Sequence, residues 1–93
     1  MIDVTADRAT VRSAMTLAEA KALLMAGVGI ISGPISTFDL AEVTAVDSSG
    51  LAVVFGWLRE AKRLGKSIRI VNVPQNLSSL AEVYGVKDLL PVA

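Results

Sequence analysis

A short polar stretch in the middle of the chain separates two different hydrophobic patterns. Residues 47–50 read Asp-Ser-Ser-Gly. They follow an extended segment at 35–40 and precede apolar residues that recur at helical spacing from Leu51 to Ala61. Asp and Ser are preferred at helix starts because their side-chain oxygens accept hydrogen bonds from the free amides of the first turn. The stretch therefore predicts a helix that begins at Asp47 and ends at Leu64-Gly65, where glycine stops it.

The same stretch supports a structural and a functional interpretation. In the structural one, Asp47, Ser48 and Ser49 form a helix cap and have no further role. In the functional one, a small hydroxyl at an exposed helix start is a contact or phosphorylation point, since free amides and the helix dipole favour a phosphate there. Gly50 fits both interpretations, because its missing side chain lets backbone or a partner approach closely.

Composition places the chain among globular proteins. Its 93 residues are 53% apolar and 19% charged, enough for one modest core, so we expect a single domain over 1–93. The formal net charge is zero. The main basic group lies on the predicted central helix and consists of Arg59, Lys62, Arg63 and Lys66. Because nucleic acid binding requires a positive field, a nucleic acid partner is not expected, and the basic group is interpreted as solvated surface or as a contact for an acidic partner.

Two reactive residue types are missing from the sequence. The chain contains neither Cys nor His, which excludes thiolate catalysis, disulfides, imidazole bases and the usual ligands of zinc and haem. We therefore expect no metal and no cofactor.

The acidic start, Met1 to Asp7, lacks the basic region of a secretory signal, and Glu19, Lys21 and several glycines interrupt the apolar stretch 17–35. Membrane insertion is accordingly not expected.

Strand and helix patterns alternate along the chain. Strands are predicted at 9–15, 35–40 and 66–73. Helices are predicted at 16–25, 47–64 and from Asn76 or Ser78 to Tyr84, while residues 1–8 are interpreted as an irregular lead-in. This alternation favours an α/β fold with a mostly parallel sheet and right-handed crossovers. The strand at 66–73 is expected inside the sheet, because both of its faces are largely apolar.

The first and last helices carry their own signals. Thr16, with Glu19 three residues later, predicts a capping box at the start of the first helix. Gly85 predicts the end of the last helix. The last helix has an apolar stripe that is expected to pack on the core, made up of Leu77, Leu80, Ala81 and Tyr84.

Four runs of residues carry a family resemblance. The run FDLAEVTAVDSSGLA, from Phe38 to Ala52, is similar to the signature of STAS domains, the fold of anti-sigma-factor antagonists. The runs LREAKRLGK at 58–66 and VNVPQNLSSLAEVYGV at 71–86, with LLP at 89–91, resemble the MlaB-like branch of that family. The resemblance spans about 11–91 and implies an α/β STAS fold, in which about three to four helices surround a small, mostly parallel central sheet.

The resemblance implies a binding module and no enzyme. MlaB-like proteins are cytoplasmic subunits that dock on the ATPase subunit of an ABC complex, which transports phospholipid and maintains outer-membrane lipid asymmetry. The corresponding centre of the interface here is Asp47, Ser48, Ser49 and Gly50. The alternative is an anti-sigma factor antagonist, in which a partner serine kinase phosphorylates the hydroxyl that corresponds to Ser48. The resemblance also implies that a homodimer could form through sheet edges or helix ends.

Val53 and Trp57 are additional candidates for the interface. They lie four residues apart, off the main apolar stripe of the predicted central helix. A single indole on an aliphatic protein suits an interface anchor, and it suits a core position between helix and sheet equally well.

Asp39, Glu42 and Asp47 could be imagined as paired catalytic carboxylates. Strand-end and cap roles account for Asp39 and Asp47, so enzymatic activity is not expected.

Overall fold

The structure, a computed structural model, describes residues 1–91 as alternating strands and helices. The strands are β1 (Ile2–Thr5), β2 (Arg8–Val11), β3 (Thr37–Asp39) and β4 (Arg69–Val71). The helices are α1 (Leu17–Ile31), α2 (Ser48–Arg63) and α3 (Gln75–Val83), followed by a 3₁₀ turn at Lys87–Leu89. This alternation confirms the predicted α/β class. Within residues 1–91, each helix is too short or too polar to cross a membrane.

The strands form one four-stranded sheet in the order β1-β2-β3-β4. β1 is antiparallel to β2, whereas β2, β3 and β4 are parallel, so the sheet is mostly parallel as predicted. Ala9, Phe38 and Ile70 lie opposite one another across the parallel strands and are buried with residues from all three helices. Successive side chains in a strand point to opposite faces. Their strand neighbours are exposed or half-buried, so the second face is open.

The first part of the chain differs from the sequence-based expectation. Residues 2–5 form β1, where an irregular lead-in is expected, and they pair along their whole length with β2. α1 does not end near Met25 but continues through two glycines to Ile31. Leu23, Gly27 and Ile31 are its buried residues. Packing of this face on the core outweighs the low helix propensity of glycine, which is the reason the predicted end is wrong.

The last part of the chain differs in two ways. β4 is an edge strand of the sheet and not an inner one, and Arg69 on its open face is exposed. The N–H of Ile70 donates to the oxygen of Pro91 at 3.1 Å, so the end of the described chain supplies a partner for this edge. Asn76 and Ser78 lie within α3 instead of capping it.

Trp57 of α2 is the centre of the core. Its side chain is fully buried and stacks on Phe38 of β3, with ring centroids 4.4 Å apart and ring planes 12° from parallel. Its indole N–H donates to the backbone oxygens of Leu23 and Leu24 on α1, at 3.2 and 3.3 Å. A Cβ on Gly27 would overlap the indole nitrogen. One side chain of α2 thus contacts both the sheet and α1, and glycine at position 27 makes room for it.

Two glycines of α1 provide a matched test of this packing. Gly27→Ala is expected to lower the free energy of unfolding by about 1–3 kcal/mol, because the added methyl group overlaps the buried indole. Gly29→Ala places its Cβ where nothing lies within 4 Å. It is expected to raise the free energy of unfolding by about 0.5–1 kcal/mol through helix propensity. Urea unfolding measures both, and equal effects would contradict the close contact between Trp57 and Gly27.

The open face of the sheet carries a polar network centred on Asp39, the last residue of β3. Its carboxylate accepts from the side-chain amide of Asn72 at 3.0 Å, from Arg8 at 2.8 Å and from the N–H of Ala41 at 2.9 Å. The hydrogen bond from Asn72 is the main cause that lowers the pKa of Asp39. Since these donors come from β2, from the residue after β4 and from the loop after β3, the network has a structural role.

The network predicts a contribution of Asp39 to acid sensitivity. Its pKa is lower in the folded protein, so the ionised carboxylate contributes stability above its unfolded pKa of about 3.9. This contribution is lost as the pH falls through the lower folded value. Asp39→Asn removes the titration and is expected to flatten the decline of stability between about pH 5 and 3. Urea midpoints across this range, with Asp88→Asn as a surface control, test the prediction, and parallel profiles for Asp39→Asn and wild type would contradict it.

Candidate protein-binding site

Two chain segments run side by side where α1 and α2 begin. Met15 and Val46 form an isolated parallel bridge. The N–H of Met15 donates to the oxygen of Ala45 at 2.8 Å, and the N–H of Asp47 donates to the oxygen of Met15 at 3.3 Å. Each helix starts two residues beyond this bridge. The positive ends of both helix dipoles therefore lie next to each other.

Asp47 caps both helices. Its Oδ1 accepts from the N–H of Ser49 at 2.8 Å, which confirms the predicted cap of α2, and its Oδ2 accepts from the N–H of Leu17 at 3.1 Å. The bond from Leu17 is the main cause that lowers the pKa of Asp47. The predicted capping box of α1 forms only in part, because the hydroxyl of Thr16 bonds to the carboxylate of Glu19 and caps no amide. Asp47 supplies that cap across the junction.

Gly50 allows the starts of α1 and α2 to come into contact. A Cβ on this residue would lie 2.5 Å from the backbone oxygen of Met15, well inside van der Waals contact, and Gly50 is buried. The sequence left open whether backbone or a partner approaches Gly50, and in the structure the backbone of Met15 does so. Its role in the site is therefore to hold the start of α2 against the start of α1.

Ser48 is the exposed member of the predicted site. It is the first residue of α2 and lies in solvent, whereas Ser49 is half-buried. The capping bonds of Asp47 go to the amides of Ser49 and Leu17, so the side chain of Ser48 lies outside the cap. The structure thus brings the four predicted residues together and divides their tasks. Asp47, Ser49 and Gly50 take part in the helix junction, and Ser48 presents its hydroxyl at the surface.

An open groove, here named the Ser48 groove, lies between the start of α2 and α3. Its volume is about 760 Å³. The residues of α3 and its end that line it are Gln75, Asn76, Ser79, Leu80, Val83 and Tyr84. Val83 is 80% exposed and Tyr84 is 59% exposed. Exposed apolar side chains that cluster around one point are typical of an interaction site.

The structure changes three sequence-based assignments near this surface. Tyr84 follows α3 and is exposed, unlike Leu77 and Ala81, so its predicted place in the buried stripe is wrong. Val53 and Trp57 are 3% and 0% exposed, and neither is available as a surface anchor. Trp57 instead occupies the core position between helix and sheet, which was the other possibility for this residue. The physical reason is that α2 packs against both α1 and the sheet, which buries a wider arc than one stripe.

The fold and the capped helix start can be compared with known proteins. Residues 2–91 match the family described as "Mlab, STAS domain". The chain belongs to this STAS-domain family. It is 35% identical over 51 residues to the intermembrane phospholipid transport system binding protein MlaB of Haemophilus influenzae, covering 55% of this chain and 49% of that protein. It is 32% identical over 54 residues to the anti-sigma-B factor antagonist of Bacillus subtilis, covering 58% of this chain and 50% of that protein. The aligned part of this STAS domain spans about half the length of these curated relatives.

Solved structures share the fold of this STAS domain over nearly the whole chain. A putative anti-sigma factor antagonist from Thermotoga maritima has a TM-score of 0.78 at 12% identity, covering 99% of this chain and 83% of that one. The anti-sigma factor antagonist SpoIIAA in its unphosphorylated form has a TM-score of 0.70 at 18% identity, covering 100% of this chain and 86% of that one. At such identities the likeness shows the fold alone, and it confirms the predicted STAS fold.

The shared cap predicts a graded effect of substitutions at Asp47. Asp47→Asn keeps one side-chain acceptor oxygen and can cap one helix, whereas Asp47→Ala keeps none. The expected order of stability is therefore wild type, then Asn, then Ala. Hydrogen exchange of the Leu17 and Ser49 amides measures each cap separately. Both amides should exchange faster in Asp47→Ala and only one in Asp47→Asn, and an unchanged Leu17 amide in Asp47→Ala would contradict the shared cap.

Proposed function

We propose that this STAS domain is a non-catalytic subunit that binds the ATPase subunit of a phospholipid-transport ABC complex and stabilises or regulates it. The observation that carries the proposal is the exposed Ser48 beside the Ser48 groove, with its unpartnered apolar side chains. The similarity to a protein named as part of an intermembrane phospholipid transport system supplies the class of partner. In this role the protein acts in the cytoplasm, lies at the inner membrane through its partner and serves outer-membrane lipid asymmetry.

The Ser48 groove suits a protein surface better than a small substrate. It is open along its length, whereas small-molecule sites enclose most of their ligand. Tyr84 and Val83 offer exposed apolar area, and an aromatic side chain with a polar tip is the type that contributes most in protein interfaces. Both carboxylate oxygens of Asp47 accept helix-cap hydrogen bonds, which lower the pKa of this carboxyl group and make it a weaker general base.

Ser48 gives this surface a means of control. A phosphate on its hydroxyl would add a charge of about −1.5 to −2 beside the carboxylate of Asp47. In a contact that also covers Tyr84 and Val83, like-charge repulsion and desolvation would weaken binding. The folded domain would tolerate the same phosphate, because a helix N-terminus favours negative charge. Modification would therefore act on the complex and leave the domain folded.

An anti-sigma factor antagonist is the second candidate function. It is supported by the similarity to the anti-sigma-B factor antagonist of Bacillus subtilis and by the fold shared with SpoIIAA, which has been solved in unphosphorylated and phosphorylated forms. The partner would then be a serine kinase that binds the same surface and modifies Ser48. The transporter function is placed first because the runs at 58–66 and 71–86 resemble the MlaB-like branch.

A substitution that mimics phosphate tests the proposed surface. Calorimetric titration of the purified ATPase subunit, and separately of an anti-sigma factor kinase from the same organism, measures which partner binds. Ser48→Glu is expected to weaken binding at least about 10-fold, because more than 1.4 kcal/mol of contact is lost. Ser48→Ala is expected to change the affinity by less than about 3-fold, since it adds no charge and leaves the Asp47 caps in place.

Matched controls separate the surface from general effects of charge and hydrophobicity. Ser67→Glu makes the same change at an exposed serine beyond the other end of α2 and should not affect binding. Tyr84→Ser should weaken binding, whereas Leu89→Ser, at a 65% exposed leucine outside the Ser48 groove, should not. Equal binding by wild type, Ser48→Glu and Tyr84→Ser would contradict this surface. Binding of the kinase alone would contradict the transporter function.

A further inference from the structure

A second groove, here named the α1–α2 groove, runs between the first two helices. Its volume is about 360 Å³, and it shares no lining residue with the Ser48 groove. Its floor consists of small and apolar residues of both helices, namely Ala20, Leu24, Ser49, Ala52 and Val53. The helices lie close together here because Gly56 packs on Leu24, where a Cβ would be 2.5 Å from the leucine side chain. Close packing of small residues leaves a shallow apolar channel at the surface.

Two basic side chains, one from each helix, line the walls of the α1–α2 groove. They are Lys21 of α1 and Arg59 of α2. The Nη2 of Arg59 lies 3.7 Å from the position of a Cβ on Gly56, so the guanidinium lies along the groove side of its helix. Neither Lys21 nor Arg59 forms a salt bridge with any residue between 1 and 91. Lys62 and Arg69 also form none, but neither lines this groove, and the other basic side chains are held in salt bridges or backbone hydrogen bonds, namely Arg8, Arg12, Arg63, Lys66 and Lys87.

The outer side of α1 extends this groove as an apolar surface. Leu17 and Met25 are 76% and 63% exposed. From Leu17 to Met25, Lys21 is the single charged residue among those exposed to solvent, and the others are Ala18 and Ala22. A surface helix normally presents charged and polar residues outward. This side of α1 therefore has the character of a contact surface, with an isolated positive charge in it.

We propose that the α1–α2 groove binds a segment of a partner protein in which apolar side chains alternate with carboxylates. Apolar side chains would fill the floor around Leu24 and Ala52, while carboxylates would pair with Lys21 and Arg59. A guanidinium forms two parallel hydrogen bonds with a carboxylate, which fixes the register of the segment. The proposal goes beyond the Ser48 groove and stands on separate residues, so it holds for either partner considered there.

The charge distribution favours an acidic protein segment over a lipid surface. Recognition of anionic membranes uses clusters of about 4–8 basic residues. The α1–α2 groove has two, and the chain has a formal net charge of zero. Each of the two cations that flank the apolar channel can pair with an individual carboxylate of a peptide. An anionic membrane is consequently the competing occupant that an experiment must exclude.

A designed peptide tests the proposal on the full chain. The probe is a short capped peptide in which leucine alternates with glutamate, and its matched control has glutamine in place of glutamate. Titration followed by ¹⁵N-resolved NMR is expected to shift the amides of Lys21, Leu24, Ala52 and Arg59. The glutamine peptide is expected to bind at least about 10-fold more weakly, because the ion pairs are lost. Raising the salt concentration should weaken binding of the glutamate peptide.

Charge reversal provides the second arm of the test. The double variant Lys21→Glu/Arg59→Glu should lose the leucine–glutamate peptide and gain binding of a leucine–lysine peptide. Lys62→Glu, an exposed position of α2 outside the groove, should leave binding unchanged. The proposal is overturned if the glutamate and glutamine peptides bind equally or not at all. Shifts that centre on Val83 and Tyr84, or binding of the wild type to anionic vesicles without binding of the peptide, would overturn it as well.

Discussion

The packing of Trp57 against Gly27 and Phe38 is the contact on which the arrangement of the helices depends. The indole lies between α1 and the sheet, and its N–H bonds to backbone oxygens of α1. A side chain at position 27 would push the two helices apart. Because this contact fixes α1 against α2, it also fixes where Leu17 meets Asp47 at the other end of the helix. The geometry of the site therefore follows from a core contact that none of the exposed site residues makes.

Asp47 separates the part of the motif that supports folding from the part that is free for binding. Its two carboxylate oxygens accept hydrogen bonds from backbone amides of two helices, and the backbone of Met15 packs directly against Gly50. A polar helix start would normally be explained entirely by capping. Here capping accounts for Asp47 and leaves Ser48 exposed. The structural interpretation thus accounts for Asp47, and it leaves the hydroxyl of Ser48 available for the binding role that we propose.

Features set by local chemistry could be predicted from the sequence. The start of α2 at Asp47 and its end before Gly65, which adopts φ +69°, follow from capping and from the left-handed conformation that glycine tolerates. These signals act over a few residues and need no knowledge of the fold. The alternation of strand and helix patterns and the signature around Ser48 were likewise sufficient for the fold class.

Features set by contacts between distant elements could not be predicted. Trp57 lies off the main apolar stripe, yet it is buried, because α2 packs against both α1 and the sheet, whereas a single stripe predicts contact on one side only. α1 continues past its glycines because Gly27 receives the indole, a requirement visible only once α2 is placed. The second cap of Asp47 joins residues thirty positions apart. Tyr84 has the spacing of a core residue, but α3 ends just before it and leaves it in the Ser48 groove.

The two grooves begin at neighbouring residues of α2, since Ser48 lines one and Ser49 lines the other. Consecutive residues of a helix point about 100° apart. A partner that binds both proposed surfaces would therefore need, besides the surface that covers Ser48, an extended acidic segment that reaches the α1–α2 groove. A phosphate on Ser48 would then weaken the first contact and leave the second in place. The tethered partner would stay at high effective concentration, so that rebinding after dephosphorylation would not require a new encounter.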